Sequence, residues 1–80
     1  MWNETGNSIT KKFKFDDFEQ ALKFVNEVGE LAETENHHPD IKLGYGFAEI
    51  CLTTHSEAKV TEKDRKMSEK IDRIIDNRIE

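Results

Sequence analysis

Apolar and polar positions change period several times along this chain. From Ser8 to Phe15, Ile9, Phe13 and Phe15 alternate with Thr10, Lys12 and Lys14, with Lys11 interrupting the apolar row. A period of two marks a half-buried strand. The turn signal Gly6-Asn7 folds the short Trp2-Asn3-Glu4 segment back onto it. From Asp16 the period lengthens: Phe18, Ala21, Leu22, Val25, Val28, Gly29 and Ala32 recur at spacings of three and four, which lines one face of a helix. Asp16 and Glu19 stand at capping-box spacing at its start. Pro39 denies His38 a helical backbone, so the helix stops near Asn36.

Beyond Pro39, Ile41 and Leu43 predict a short strand, Gly44-Tyr45-Gly46 a turn, and Phe47 to Thr54 a longer strand. On that strand Ala48, Ile50, Leu52 and Thr54 share one face, and Phe47, Glu49, Cys51 and Thr53 share the other. Thr61 with Asp64 starts a second helix, whose apolar stripe is Met67, Ile71, Ile74 and Ile75. The order ββαββα predicts an α+β domain, an antiparallel β-sheet with two α-helices packed on one face.

Composition narrows the class. Eighty residues make a single domain spanning 1–80, near the lower end of what can bury a core, so close packing or partners are needed. The 35% apolar fraction and scattered charge fit a folded, soluble chain. A net charge of -5 provides no broad basic field, which disfavours direct nucleic-acid binding. One cysteine, Cys51, excludes an internal disulfide and fits the reducing cytoplasm. Neither a signal peptide nor an apolar run of membrane-spanning length is visible.

The candidate chemistry lies in three histidines. Two are adjacent in His37-His38-Pro39-Asp40, and the third closes the long strand in Thr53-Thr54-His55. A hairpin between them returns the end of one strand beside the start of the other, so all three can meet where Pro39 makes the backbone irregular. Glu33, four residues before His37, is expected to accept a hydrogen bond from an imidazole and select its tautomer. A three-histidine zinc site is the competing reading of this spacing. Glu33 as a solvated charge, Asp64 as a helix-start residue and Trp2 as a cap on the core are the plain structural readings. Cys51, mid-strand with no activating histidine at its spacing, is expected to pack.

The ordered set Glu33-Thr-Glu-Asn-His37-His38-Pro39-Asp40, then Tyr45, then Leu52-Thr-Thr54-His55, then Thr61-Glu-Lys-Asp64 resembles the signature of the pterin-4a-carbinolamine dehydratases. The resemblance continues through Trp2 and Phe13-Lys-Phe15-Asp-Asp-Phe18, so it covers nearly the whole chain. It implies dehydration of 4a-hydroxytetrahydrobiopterin to the quinonoid dihydropterin in tetrahydrobiopterin recycling, with no metal and no redox cofactor. On this reading His37, His38 and His55 line the pterin pocket and are the catalytic residues, His37 and His55 moving protons and His38 holding the pterin. Glu33 supports them, Pro39, Thr54, His55, Ser56 and Glu57 shape the pocket, Asp64 orients the site, and Trp2 stands near it. Family members form homodimers or homotetramers. Surplus apolar residues Ile71, Ile74, Ile75 and Ile79, together with open sheet edges, lead to the same expectation of a homo-oligomer.

The chain departs from the family pattern in two places. The loop Ser56-Glu57-Ala58-Lys59-Val60 lacks the glycines many members carry, and the chain opens at Met1-Trp2 without the extra N-terminal helix of many members. The alternative class is a non-catalytic pterin-binding or protein-dimerisation and coactivator module of the same fold.

Overall fold

A computed structural model describes residues 1–78, without the side chain of Arg78. Its elements are β1 (Asn3–Thr5), β2 (Ser8–Lys14), α1 (Phe18–Glu35), β3 (Asp40–Gly44), β4 (Phe47–Leu52) and α2 (Glu62–Arg78). The strands form one antiparallel sheet in the order β1-β2-β4-β3. Register decides which face is covered. Ile9 pairs with Leu52, Phe13 with Ala48, Ile41 with Ile50 and Leu43 with Ala48, so all these side chains project to one side. Both helices lie on that side, where Phe24, Val28 and Ala32 of α1 and Met67 and Ile71 of α2 complete the core. The expected α+β architecture with two helices on one face is the observed one. Among the described residues, no helix is long and apolar enough to cross a membrane.

Lys11 does not break the apolar row of β2. It pairs with Ile50 and faces the helices, but its stem carries the ammonium out to Asp72 of α2, 2.8 Å away, and places it 5.0 Å from the centre of the Phe13 ring. Long cationic side chains do this readily, covering apolar surface with the stem while the charge reaches a partner. The Trp2 indole N–H donates to the same carboxylate, at 3.1 Å to Oδ2.

Two details of α1 differ from the sequence expectation. The N-cap is Asp17, whose extended backbone (φ -153°, ψ 179°) lets its carboxylate accept the Gln20 N–H at 2.9 Å, so the cap pair is Asp17 and Gln20 instead of Asp16 and Glu19. The buried face consists of Ala21, Phe24, Val28 and Ala32, while Phe18 and Leu22 are exposed. Phe24 explains the rotation. Its ring packs 4.8 Å from Phe13 and 5.3 Å from Phe15, centre to centre, and burying it favours the stripe that contains it. At the other end Asn36 takes a left-handed backbone (φ 53°), and its N–H and that of His37 both reach the Ala32 carbonyl, which ends the helix before Pro39.

On α2 the apolar stripe is as expected: Met67 and Ile71 are buried, and Ile74 and Ile75 pack against the core. The surplus therefore does not lie there among the described residues, and Ile79 lies outside them. The exposed large apolar side chains of the helices are instead Phe18 and Leu22, one turn apart on α1.

Candidate active site

The chain turns three times at the end of the sheet where β3 begins and β4 finishes, with Asp40 opposite Cys51. There α1 ends in its left-handed residue, β4 runs on into Thr53 and Thr54, and α2 starts. The start of α2 is a capping box in which aspartate takes the usual glutamate position. Thr61 Oγ1 accepts the Lys63 N–H at 3.3 Å, and Asp64 Oδ2 accepts the Thr61 N–H at 2.9 Å.

The same Asp64 carboxylate is also the centre of the site. It is fully buried. Oδ2 accepts the Thr54 hydroxyl at 2.7 Å, and Oδ1 lies 2.6 Å from His37 Nε2. Burial by itself would push this carboxyl up. The hydrogen bonds from the Thr61 N–H, His37 and Thr54 outweigh that effect and hold it below the ordinary aspartate value. An ionised carboxylate can only accept, so His37 carries its proton on Nε2 when neutral. Nδ1 is then the ring nitrogen with a lone pair. The His37 side chain keeps 12% of its surface open to solvent, so it is anchored inside without being sealed off.

His38 is held differently. Its Nε2 lies 2.6 Å from Glu33 Oε2, and both side chains are exposed, at 55% and 79%. The bond expected between Glu33 and an imidazole is thus formed with His38 and not with His37, four residues away. The left-handed turn at Asn36 directs His37 to the first turn of α2 and leaves His38 facing back along α1, where Glu33 meets it.

His55 follows Thr54 into a tight loop. The Thr54 N–H donates to the Lys59 carbonyl at 3.0 Å, and the Thr54 carbonyl accepts from Glu57 (3.0 Å) and Ala58 (2.8 Å). His55, Ser56 and Glu57 are exposed on this loop. Ala58 has φ 56°, a left-handed conformation that glycine adopts without strain, and it falls in the segment noted above for lacking glycine. Pro39 is half-buried beside the two neighbouring histidines. Trp2, bonded to Asp72 and packed edge-on against Phe13, precedes Asn3, which pairs with Thr10; it belongs to the Lys11 cluster and makes no bond to the Asp64 network. Direct bonds therefore join His37, Thr54, Thr61 and Asp64, with His38 and Glu33 as a separate pair. Among the described residues no group of three or more His, Cys, Asp or Glu side chains is placed to hold a metal ion.

A model of the pterin 4 alpha carbinolamine dehydratase family matches residues 1–74. The chain belongs to this family. A relative from Rubrobacter xylanophilus, provisionally named for that activity, is 50% identical over 66 residues, which cover 82% of this chain and 62% of its own length. The chain thus spans about three-fifths of that relative. A crystal structure from Brucella melitensis, described as a transcriptional coactivator/pterin dehydratase, is 39% identical with a TM-score of 0.86, covering 91% of this chain and 80% of that one. A pterin dehydratase-like protein described as a RuBisCO assembly factor in the alpha-carboxysome shares the fold at 22% identity, with a TM-score of 0.73 over 90% of this chain and 83% of its own.

In this member of the pterin-4-alpha-carbinolamine dehydratase family, one carboxylate serves both the start of a helix and the setting of a histidine. Thr61 was visible in the sequence as a helix start and as one position of the family signature, with no role of its own in the site. The sign that it does more was the capping spacing itself: a box closed by Asp64 places that carboxylate at the helix end nearest the strand exit, where Thr54 arrives.

Proposed function

We propose that the chain dehydrates a 4a-hydroxytetrahydropterin, 4a-hydroxytetrahydrobiopterin in tetrahydrobiopterin recycling, to the quinonoid dihydropterin and water. The observation that carries this reading is the buried Asp64 carboxylate, which takes three donors and fixes His37 at 2.6 Å with part of that side chain still open to solvent. Losing water from the carbinolamine breaks the C4a–O bond, places a proton on the departing hydroxyl and removes one from a ring nitrogen. No electrons are gained or lost, so no redox cofactor is required. His37, oriented by Asp64, exchanges the proton through Nδ1. His55 supplies the second proton-transfer group from the loop above, and exposed His38, steadied by Glu33, holds the pterin. Pro39, Ser56 and Glu57 border the substrate. The reaction takes place in the cytoplasm, in a homodimer or homotetramer, and exposed Phe18 and Leu22 on α1 supply an apolar patch for a second copy.

The test is stopped-flow decay of freshly generated 4a-hydroxytetrahydropterin. His37→Ala and His55→Ala are each expected to slow the decay about 100-fold or more, while His38→Ala weakens binding more than turnover. Since groups acting as a unit are not additive, the His37/His55 double variant should be little slower than the poorer single one. Wild-type rates in both single variants would reject the mechanism. A second reading, a protein-binding module, is favoured by the same exposed apolar pair and by the coactivator description of the Brucella protein. An inactive wild-type protein would select it. Sedimentation equilibrium that found only monomer at micromolar concentration would overturn the assembly.

A further inference from the structure

Thr54 is 3% exposed, which leaves it almost no surface to offer a substrate, and yet each of its polar groups is bonded. Its main chain closes the loop that carries His55: the N–H donates to the Lys59 carbonyl at 3.0 Å, and the carbonyl accepts the N–H groups of Glu57 at 3.0 Å and Ala58 at 2.8 Å. Its hydroxyl leaves the loop and donates to Asp64 Oδ2 at 2.7 Å, while the other oxygen of that carboxylate lies 2.6 Å from His37 Nε2. In a β-branched side chain one stiff torsion separates the hydroxyl from the backbone, so holding the hydroxyl also holds the main chain. The far end of the loop reaches the same carboxylate through the Thr61 N–H at 2.9 Å. Thr54 is the tie at the end where His55 stands.

We infer that Thr54 is a positioning residue that sets His55 against His37, its hydroxyl fastened to the carboxylate that holds one histidine and its main chain closing the loop that carries the other. It stands behind the site and acts through other residues. Two groups that exchange protons with one substrate must keep their separation, since a misplacement of about 1 Å can cost about 100-fold. Without the hydroxyl the loop keeps its internal bonds and its far-end tie through Thr61 but loses the tie beside His55, so it opens more often. His37 stays on Asp64 Oδ1, and it is His55 that spends less time in place. The kinetic part of this inference rests on the proton-transfer roles proposed for His37 and His55; the fastening of the loop does not.

The experiment compares the wild type with Thr54→Val, Thr54→Ala and Thr54→Ser. Valine keeps the shape and removes the hydroxyl. Alanine makes the same deletion with less bulk, so it carries the test if the valine variant does not fold, and serine keeps the hydroxyl. Hydrogen exchange of the Glu57 and Ala58 amides, both bonded to the Thr54 carbonyl, reads the opening of the loop directly. These two amides should exchange about tenfold faster in the hydroxyl-free variants and at the wild-type rate in Thr54→Ser. Ile71→Val, which weakens the core elsewhere, should leave them at the wild-type rate, because local opening of the loop does not involve Ile71. Turnover of the pterin should fall about tenfold in the hydroxyl-free variants with KM changed less, and recover in Thr54→Ser. In a His55→Ala background the same substitutions should cost less than about twofold, since the group they position is gone. Wild-type exchange of both loop amides in a folded hydroxyl-free variant overturns the inference, whatever its activity. A tenfold loss that persists in the His55→Ala background overturns its kinetic part. Faster loop exchange in a protein whose wild type does not dehydrate the pterin upholds the fastening and removes the proposed reaction.

Discussion

His37 and His38 are neighbours in sequence, and each meets a carboxylate oxygen at 2.6 Å, yet the two pairs differ in almost everything else. Asp64 is sealed inside and shared with Thr54 and Thr61, whereas Glu33 and His38 stand in solvent. Distance alone therefore says little about what an ion pair is worth. Water competes for every bond of the exposed pair, and salt screens it. In the buried pair removing one partner strands polar groups away from bulk water, which is costly. One pair is an anchor and the other is an adjustable surface contact.

The strongest way to break this comparison is Asp64→Ala. It leaves the His37 Nε2–H, the Thr54 hydroxyl and the Thr61 N–H without their acceptor, and should cost about 3 kcal/mol in urea unfolding. An effect as small as that of a surface substitution would show that the network does not hold the fold. The acid side of the stability curve sharpens the contrast. The Asp64 carboxyl is held below its ordinary value, so the unfolded chain binds the extra proton first as pH falls. Its contribution is fully present above an unfolded value of about 3.9 and is lost as pH drops through the lower folded value. Urea stability measured at a series of acid pH values should therefore fall more steeply in the wild type than in Asp64→Asn, which has no carboxyl to titrate.

A smaller effect is expected in the loop that carries His55, next to the anchored pair. Ala58→Gly relieves a left-handed residue without touching either carboxylate, and a gain of about 1 kcal/mol in thermal or urea unfolding should result. Glu33→Gln is the smallest change. Stability should move by less than about 0.5 kcal/mol, and added salt should erase what difference remains. A loss comparable with that of Asp64→Ala would mean that the exposed pair carries structure after all.

The two strand pairs and both helices were legible in the sequence because a period of two and a period near 3.6 each leave an unambiguous mark in Ile9 to Phe15, Phe47 to Thr54 and Met67 to Ile75. The choice between interleaved stripes on α1 was not. Phe18, Leu22 and Val25 fit a helical face as well as Ala21, Phe24 and Val28 do, and the decision came from aromatic packing on Phe13 and Phe15, which lie in another element. The interruption at Lys11 was likewise unreadable without Asp72, which lies 61 residues away. In the site, the histidines and the Thr61 to Asp64 spacing were visible, but the partner of Glu33 was not. Sequence spacing assumes a helix that continues, and the left-handed turn at Asn36 ends that assumption before His37.

The Trp2 contact with Asp72 has a kinetic consequence. This contact and the Glu4 to Arg65 pair close loops of 70 and 61 residues, among the longest an 80-residue chain can close. Loop-closure entropy makes such contacts costly until the intervening hairpins and helices already exist. Since Trp2 is the chain's single tryptophan, its fluorescence is a built-in clock for that closure. In refolding, the indole signal should mark the moment when the first strand and the last helix join.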